Sequence, residues 1–411
     1  MNKLIFVAVL VFIFLVISTA DLRAQEGRIH VGDLKILPGI AVQGVYDDNI
    51  FLESGINNTT EDEESDWITH VNPSLVLYYS LGERGSVSLG YQSDLAYYDD
   101  NDDNDWETHT GVLAVGYAAP GGLLFGINEV FTDTEDPYSS LNEYNLGLQT
   151  DRWINDLKTM VGYNFSDRLK ILAYYNFYKQ DYDLRQDYTQ DYDVNEFGAG
   201  FQIRVLPKTW GFIRYHFGER DYFSHPSEFG VTDANDSDFD FHRVNLGLTW
   251  DTGTKLSGEL NFGFQWKDYD NQVDVNGNRY DDKDIWIADT LVAFEASPTT
   301  SLVLVITRAM REAYSDTNEY YEDTGIGLSV WQEILTKFRV TVGGIINEND
   351  YDATVTEQRE DDNYKVEIDL SYEIREWLSA GISYNYWKRD SNYRTEDFKD
   401  NRFMVSLNAV Y

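Results

Sequence analysis

Cysteine is absent from the 411-residue chain, which excludes disulfide scaffolds, thiolate metal sites and cysteine nucleophiles. Proline is scarce, with seven residues against 30 glycines, a balance that suits many strands joined by tight turns. Positive charge is scarce as well: 32 Lys and Arg face 71 Asp and Glu, for a formal charge of -39. Such a chain cannot neutralise a phosphate backbone, which removes nucleic acid as a partner. The six histidines, at 30, 70, 109, 216, 225 and 242, form neither an HExxH nor an HxH pattern, so no transition-metal site and no cofactor is expected. No GxSxG or other nucleophile motif stands beside them, and the chain reads as non-enzymatic. Aromatic residues make up 15%, so the acidity is not the aromatic-poor kind that signals disorder.

Long apolar runs are missing beyond Ile17. The one such run, Leu4 to Ile17, follows Lys3 and leads to Ser18-Thr19-Ala20 and Leu22-Arg23-Ala24. It is too short for a spanning helix and predicts a signal peptide over 1–24, cleaved after Ala20 or Ala24, with 25–411 as one domain. If the mature chain lives in a membrane it must do so as a closed barrel, because unpaired backbone amides cannot sit in lipid.

What is present is a period of two. Tyr364, Val366, Ile368, Leu370 and Tyr372 alternate with Lys365, Glu367, Asp369, Ser371 and Glu373, and similar stretches of about ten residues recur from Leu37 onwards. Short connections (such as Pro120 to Gly122 and Pro207 to Thr209) alternate with long ones that hold most of the acids. Nine long and eight short connections predict an all-β fold: a single antiparallel transmembrane β-barrel of about 18 strands. Short turns belong to the periplasmic rim and long acidic loops to the extracellular rim of a bacterial outer membrane. The last strand alternates Phe403, Val405, Leu407, Ala409 and Tyr411 with polar residues and ends on an aromatic, similar to the signal read by barrel assembly machinery. Clusters such as Tyr97-Tyr98, Trp106, Trp153, Tyr320-Tyr321, Trp377 and Tyr386-Trp387 are expected in interface girdles.

An 18-strand barrel can enclose a channel, so function is expected in its lumen. Strand parity points Lys170, Arg204, Arg214, Arg243, Lys267, Arg308, Arg339, Lys365 and Arg402 inwards. Asp94, Glu196, Glu259, Asp289, Glu295, Glu367, Asp369 and Glu373 join them. A mixed-sign lining either selects solutes by its transverse field or satisfies itself across neighbouring strands. Arg204, Arg214 and Arg243, on three consecutive strands, read as a basic track for an anionic sugar polymer or solute. Among the loops, Asp99, Asp100, Asp102, Asp103 and Asp105 are weak calcium candidates. Residues 274–285 fail as an EF-hand loop, because Arg279 stands where glycine is needed and Ile285 where the bidentate Glu belongs. Acidic loops can also bridge through divalent ions to lipopolysaccharide phosphates.

The stretch Tyr46-Asp47-Asp48-Asn49-Ile50-Phe51, behind a strand beginning Ile36-Leu37-Pro38-Gly39-Ile40, resembles the opening of a β-barrel porin family often associated with exopolysaccharide export. Tyr163-Asn164-Phe165-Ser166-Asp167-Arg168-Leu169 is similar to that family's aromatic-x-Phe-Ser-x-Arg-Leu hairpin. The resemblance implies export of a polysaccharide, with periplasmic export components as partners. The reading is an outer-membrane pore or secretion channel, for exopolysaccharide or small solutes. Its alternative is a non-conducting structural or adhesive barrel with cation-binding acidic loops.

Overall fold

The computed structural model describes residues 29–411 except 56–62, 140–142, 224–236, 251–254, 274–278, 281, 314–319 and 353–357, and except the side chain of Gln186. The signal peptide expected over 1–24 lies outside the described residues.

A short strand, β1 (Ile29–Val31), precedes eighteen wall strands. The first half of the wall is β2 (Leu34–Asp47), β3 (Asp66–Ser80), β4 (Gly85–Tyr98), β5 (Trp106–Ala118), β6 (Leu123–Thr134), β7 (Arg152–Ser166), β8 (Leu169–Tyr182), β9 (Tyr192–Leu206) and β10 (Thr209–Tyr222). The second half is β11 (Phe239–Trp250), β12 (Leu256–Tyr269), β13 (Lys283–Ser297), β14 (Thr300–Glu312), β15 (Tyr320–Ile334), β16 (Phe338–Tyr351), β17 (Glu360–Arg375), β18 (Leu378–Ser391) and β19 (Phe398–Val410). Each wall strand pairs antiparallel with its sequence neighbours, and β19 pairs with β2. Closure removes every free edge, the condition for a sheet surrounded by lipid.

The wall has a turn rim and a loop rim. Tight turns close the first; Gly122, for example, turns at φ 90 and donates to Ala119 O at 3.0 Å. Register shifts at Asn164/Ser166, Thr209/Trp210, Glu295/Ser297 and Glu373/Arg375 all fall at this rim, where bulges help a sheet curl. The seam is the shorter ladder: Gly39–Asp47 pair with Arg402–Val410, nine residues, against fourteen between β15 and β16. Where β19 stops, β1 takes over, pairing with Leu34 to Ile36, so the exposed edge of β2 is covered.

Cross-strand partners share a face, so the pairing register decides which side chains point inwards. Val366, Ile368, Leu370 and Tyr372 are exposed on the outer face. Lys365, Glu367 and Asp369 lie on the inner one, as their alternation predicts. The same apolar outer face continues through Phe201, Ile203 and Val205 on β9, Leu246 on β11, and Phe403, Val405 and Leu407 on β19.

Candidate functional site

Along the wall strands the lumen is polar and locally paired. Arg214 Nη1 and Nη2 donate to both Glu259 oxygens, at 2.7 and 2.6 Å. Arg243 donates to Gln265 Oε1 (2.7 Å) and Glu196 Oε2 (3.1 Å), while Asn176 Nδ2 donates to the other Glu196 oxygen at 2.6 Å. His216 Nδ1 also lies 3.0 Å from Glu196. Arg204 donates to Pro207 O and stacks 4.5 Å from the Trp210 ring centre, which Lys170 shares at 3.8 Å. Arg339 lies over Trp331 and Lys365 over Trp387, at 5.3 and 3.7 Å. Two of the three arginines read as a basic track are therefore ion-paired, and the wall holds itself together by salt bridges that reach the strand beyond the neighbour. Lys267 extends this pattern by pairing with Glu312 of β14, beyond Arg308, where the ladder between β13 and β14 has ended.

Towards the loop rim the interior fills. The Asp47–Phe51 stretch leaves the end of β2 and turns inwards rather than continuing the wall. Asn49 organises it: its backbone N–H donates to Asp47 Oδ1, its Nδ2 to Glu53 O and to Lys399 O, and its Oδ1 accepts from Glu53 N–H. Asp48 accepts from the backbone N–H and Nδ2 of Asn401 at 2.6 and 2.7 Å. The motif thus ties the first wall strand to the last at the top of the seam. It also drives Ile50 into a buried cluster with Val45, Ile68, Ala96, Tyr98 and Trp106 on the inner wall. Arg402 sits beneath, its Nε 2.7 Å from Asp400 and 3.0 Å from Asp47. Asp47, Asp48 and Asp400 bring carboxylate oxygens within 4.8 Å of one another. A guanidinium and Asn401 already occupy them, which is the chemistry of a structural ion pair rather than of a metal centre.

The 135–151 loop packs onto this cluster. Arg152, fully buried at the base, donates to Asp136 O, Ser139 Oγ, Thr150 O and Thr150 Oγ1 and holds the loop's two stems together. Tyr138 donates to Ile50 O at 2.7 Å, and Arg402 lies 4.1 Å from its ring centre. Burial pushes the Tyr138 phenol well above its ordinary pKa, so it serves as a neutral donor. Gly147 is required where the loop crosses Phe51: it has φ 90, and a Cβ there would stand 2.1 Å from Phe51 O. Tyr144 donates to Asp187 in the neighbouring 183–191 loop at 2.5 Å; burial, then that carboxylate, raises its pKa.

From these anchors Glu143 reaches the far side of the lumen. Glu143, at φ 61 in the left-handed region, accepts from Arg389 Nη2 (2.7 Å) and Asn349 Nδ2 (3.2 Å) on Oε1 and from the Tyr351 hydroxyl (2.9 Å) on Oε2. Arg359 Nη2 stands 3.9 Å from Oε2. These partners come from β16, β18 and Arg359 at the start of β17, which lies ten strands from β7 one way round the eighteen-strand ring and eight the other. Arg359 is fixed in turn by Asp361 (2.6 Å) and Glu396 (3.1 Å). Burial is the largest influence and works against its charge, but the Asp361 hydrogen bond together with the charges of Tyr351, Asp361 and Glu396 outweighs it and holds the pKa above the ordinary value.

The register places Arg204, Arg214, Arg243, Lys267, Arg339, Lys365, Glu367, Asp369 and Arg402 on the inner face. Arg308 differs. It pairs opposite Thr324, in the row of Ile326 and Leu328, and therefore faces outwards, bonded to Thr324 and Glu322 and lying over Trp286. Leu302 to Ile306 is apolar on both faces, so alternation gave no parity there, and Arg311 holds the inward position. The Asp99–Asp105 stretch does not assemble a calcium site: its backbone N–H groups wrap Asp66, while Asp99, Asp100, Asp102, Asp103 and Asp105 are exposed. Tyr98, Trp106, Tyr320 and Tyr321 are buried instead of forming a girdle, whereas Tyr97 is exposed on the outer face. Glu143, Arg152, Arg359 and Arg389 were not singled out from the sequence. The available signal was the position of these rare arginines, at or beside the long acidic connections.

The family model described as "Putative beta-barrel porin 2" matches residues 26–411. The chain belongs to that family. No curated protein matches it in sequence. Among solved structures, OccAB4 of Acinetobacter baumannii is similar at 12% identity and a TM-score of 0.46, over 94% of this chain and 100% of that one. The outer membrane protein OpdK of Pseudomonas aeruginosa is similar at 11% and 0.45, over 92% and 99%. The siderophore receptor PirA of the same organism is similar at 7% and 0.41, over 93% and 81%. By its family and its geometry the chain is a porin-family barrel with an ion-paired lumen, across whose mouth Glu143 reaches Arg389.

Proposed function

We propose that this barrel is a hydrophilic pore in a bacterial outer membrane, with the turn rim periplasmic and the acidic loop rim outside. One observation carries the reading: a closed wall whose outer rows are apolar while its inner rows are charged and amide-bearing, an arrangement that makes sense only around water. Passage of an exopolysaccharide is the finer form of the proposal. It draws support from the family-like Tyr46–Phe51 opening and from cation-aromatic pairs inside, such as Lys365 with Trp387. Periplasmic export components would then meet the turn rim, the β19 strand ending at Tyr411 would be read by barrel assembly machinery, and the acidic loops would bridge through divalent ions to lipopolysaccharide.

A second reading, a surface barrel that does not conduct, is favoured by the way the Asp47–Phe51 stretch and the 135–151 loop occupy the mouth. Planar-bilayer recording separates the two. A pore gives stepwise current in wild type, and larger steps when 137–149 is replaced by a short Gly-Gly link. Absence of current from both proteins removes the pore and leaves the second reading.

A further inference from the structure

The partners of Glu143 form a receptor built by three wall residues and Arg359, which immediately precedes β17. Arg389, Asn349, Tyr351 and Arg359 are 4%, 5%, 2% and 8% exposed, and they aim two guanidinium groups, an amide and a hydroxyl at one carboxylate. Their positions do not depend on the occupant. Arg389 Nε donates to Asn363 at 3.2 Å, and Arg359 is held by Asp361 and Glu396. Tyr351 stacks on Tyr321 at 4.8 Å. The occupant belongs to another segment. It comes from a loop rooted near the opposite wall, on a residue in a backbone conformation that non-glycine side chains seldom adopt. When Glu143 leaves, Arg359 keeps Asp361 and Glu396, but among the described residues Arg389 keeps as an anion only Asp361 at 3.7 Å, and its Nη2, the Asn349 amide and the Tyr351 hydroxyl lose their shared acceptor, so the site calls for another carboxylate.

We propose that Arg389, Arg359, Asn349 and Tyr351 form a binding site for carboxylate-bearing saccharides, which the Glu143 side chain occupies at rest as an internal stand-in. The inference rests on the pore reading and deepens it. The ligand enters by exchanging its carboxylate for that of Glu143, and the exchange frees the loop from the far wall. A tethered competitor acts at an effective concentration of about a millimolar or more, so the wild-type site is masked against dilute ligand. Glutamine at 143 keeps the size of the side chain but loses the charge-assisted pairing.

Calorimetric titration of the detergent-solubilised full-length chain with trigalacturonate, using neutral maltotriose as control, tests the site. Glu143→Gln is expected to bind trigalacturonate roughly tenfold more tightly than wild type. Maltotriose is expected to gain nothing, and Glu143→Gln with Arg389→Gln to lose the gain. Heat-modifiable migration of each variant establishes that its barrel is folded, and an Asn349→Ala variant, which leaves both arginines in place, gives a second route to a weakened site. Equal affinity in wild type and Glu143→Gln, or a gain that survives loss of Arg389, overturns the proposal. Potassium chloride current measured on the same preparations keeps the two readings apart. Tighter binding without current sinks the pore and spares the site, and current without tighter binding does the reverse.

Discussion

The two halves of the lumen are built on different principles. On the wall below the mouth, inward side chains are held by neighbours one or two strands away, as Arg214 is by Glu259 and Arg243 by Glu196. Near the loop rim, contacts join segments far apart in sequence, as Asn49 to Lys399 across the seam, or in sequence and ring alike, as Tyr138 to Ile50 and Glu143 to Arg389. The lower wall follows from strand pairing alone, whereas the mouth exists only once the seam is closed and the 135–151 loop has crossed it. Substitutions below should therefore tune what passes, and substitutions above should change both stability and access.

The largest expected difference lies at the seam. Asp48→Ala combined with Asn49→Ala removes charge-assisted and amide bonds between β2, its exit and β19. It is expected to cost roughly 3 kcal/mol in urea unfolding from lipid vesicles, from a few net hydrogen bonds. Glu367→Gln, on the lower wall, is expected to stay within about 0.5 kcal/mol. Equal losses for the two would erase the distinction between the halves.

An intermediate effect is expected at Arg152. Arg152→Ala leaves buried carbonyls of Asp136 and Thr150 without their donor, a cost of about 2 kcal/mol, and frees the stems of the 135–151 loop. Limited proteolysis should then nick that loop in a barrel that otherwise stays intact; a loop as resistant as wild type would show that its other anchors suffice.

The smallest effect is a pH dependence in the neighbouring 183–191 loop. Burial pushes the Asp191 carboxyl up to about 7; Asp181 and Asp187 add to the rise, and the Tyr182 N–H and Lys179 oppose it. The folded form thus holds a proton that the unfolded chain releases. This stabilisation is fully present below the ordinary Asp range and is lost as pH rises through 7. Asp191→Asn should flatten the profile, with solvent screening keeping the change to about 1 kcal/mol or less. An unchanged profile in the variant would assign the dependence to another group.

Much of the wall was legible in the sequence because alternation is a local property. The Tyr364–Glu373 pattern fixes one strand's faces without reference to any other. It failed at Arg308, where the run from Leu302 to Ile306 carries apolar residues on both faces. The aromatic residues misled for a related reason: Trp106 and Tyr98 stand at strand ends like girdle residues, but the inward turn of Ile50 gives them a buried partner. The Tyr46–Phe51 motif was visible, while its role in tying the seam needed Asn401 and Lys399 in place. Glu143 was hidden among 71 acids, since nothing local distinguishes the one acid that reaches a distant arginine.

The central claim is a water-filled passage whose mouth is governed by the 135–151 loop. Because the chain has no cysteine, Glu143→Cys with Asn349→Cys gives a single pair that a short reducible methanethiosulfonate linker can bridge. Single-channel current through this variant is expected to fall on bridging and to recover on reduction. Current of the same size before bridging, after bridging and after reduction would contradict the account.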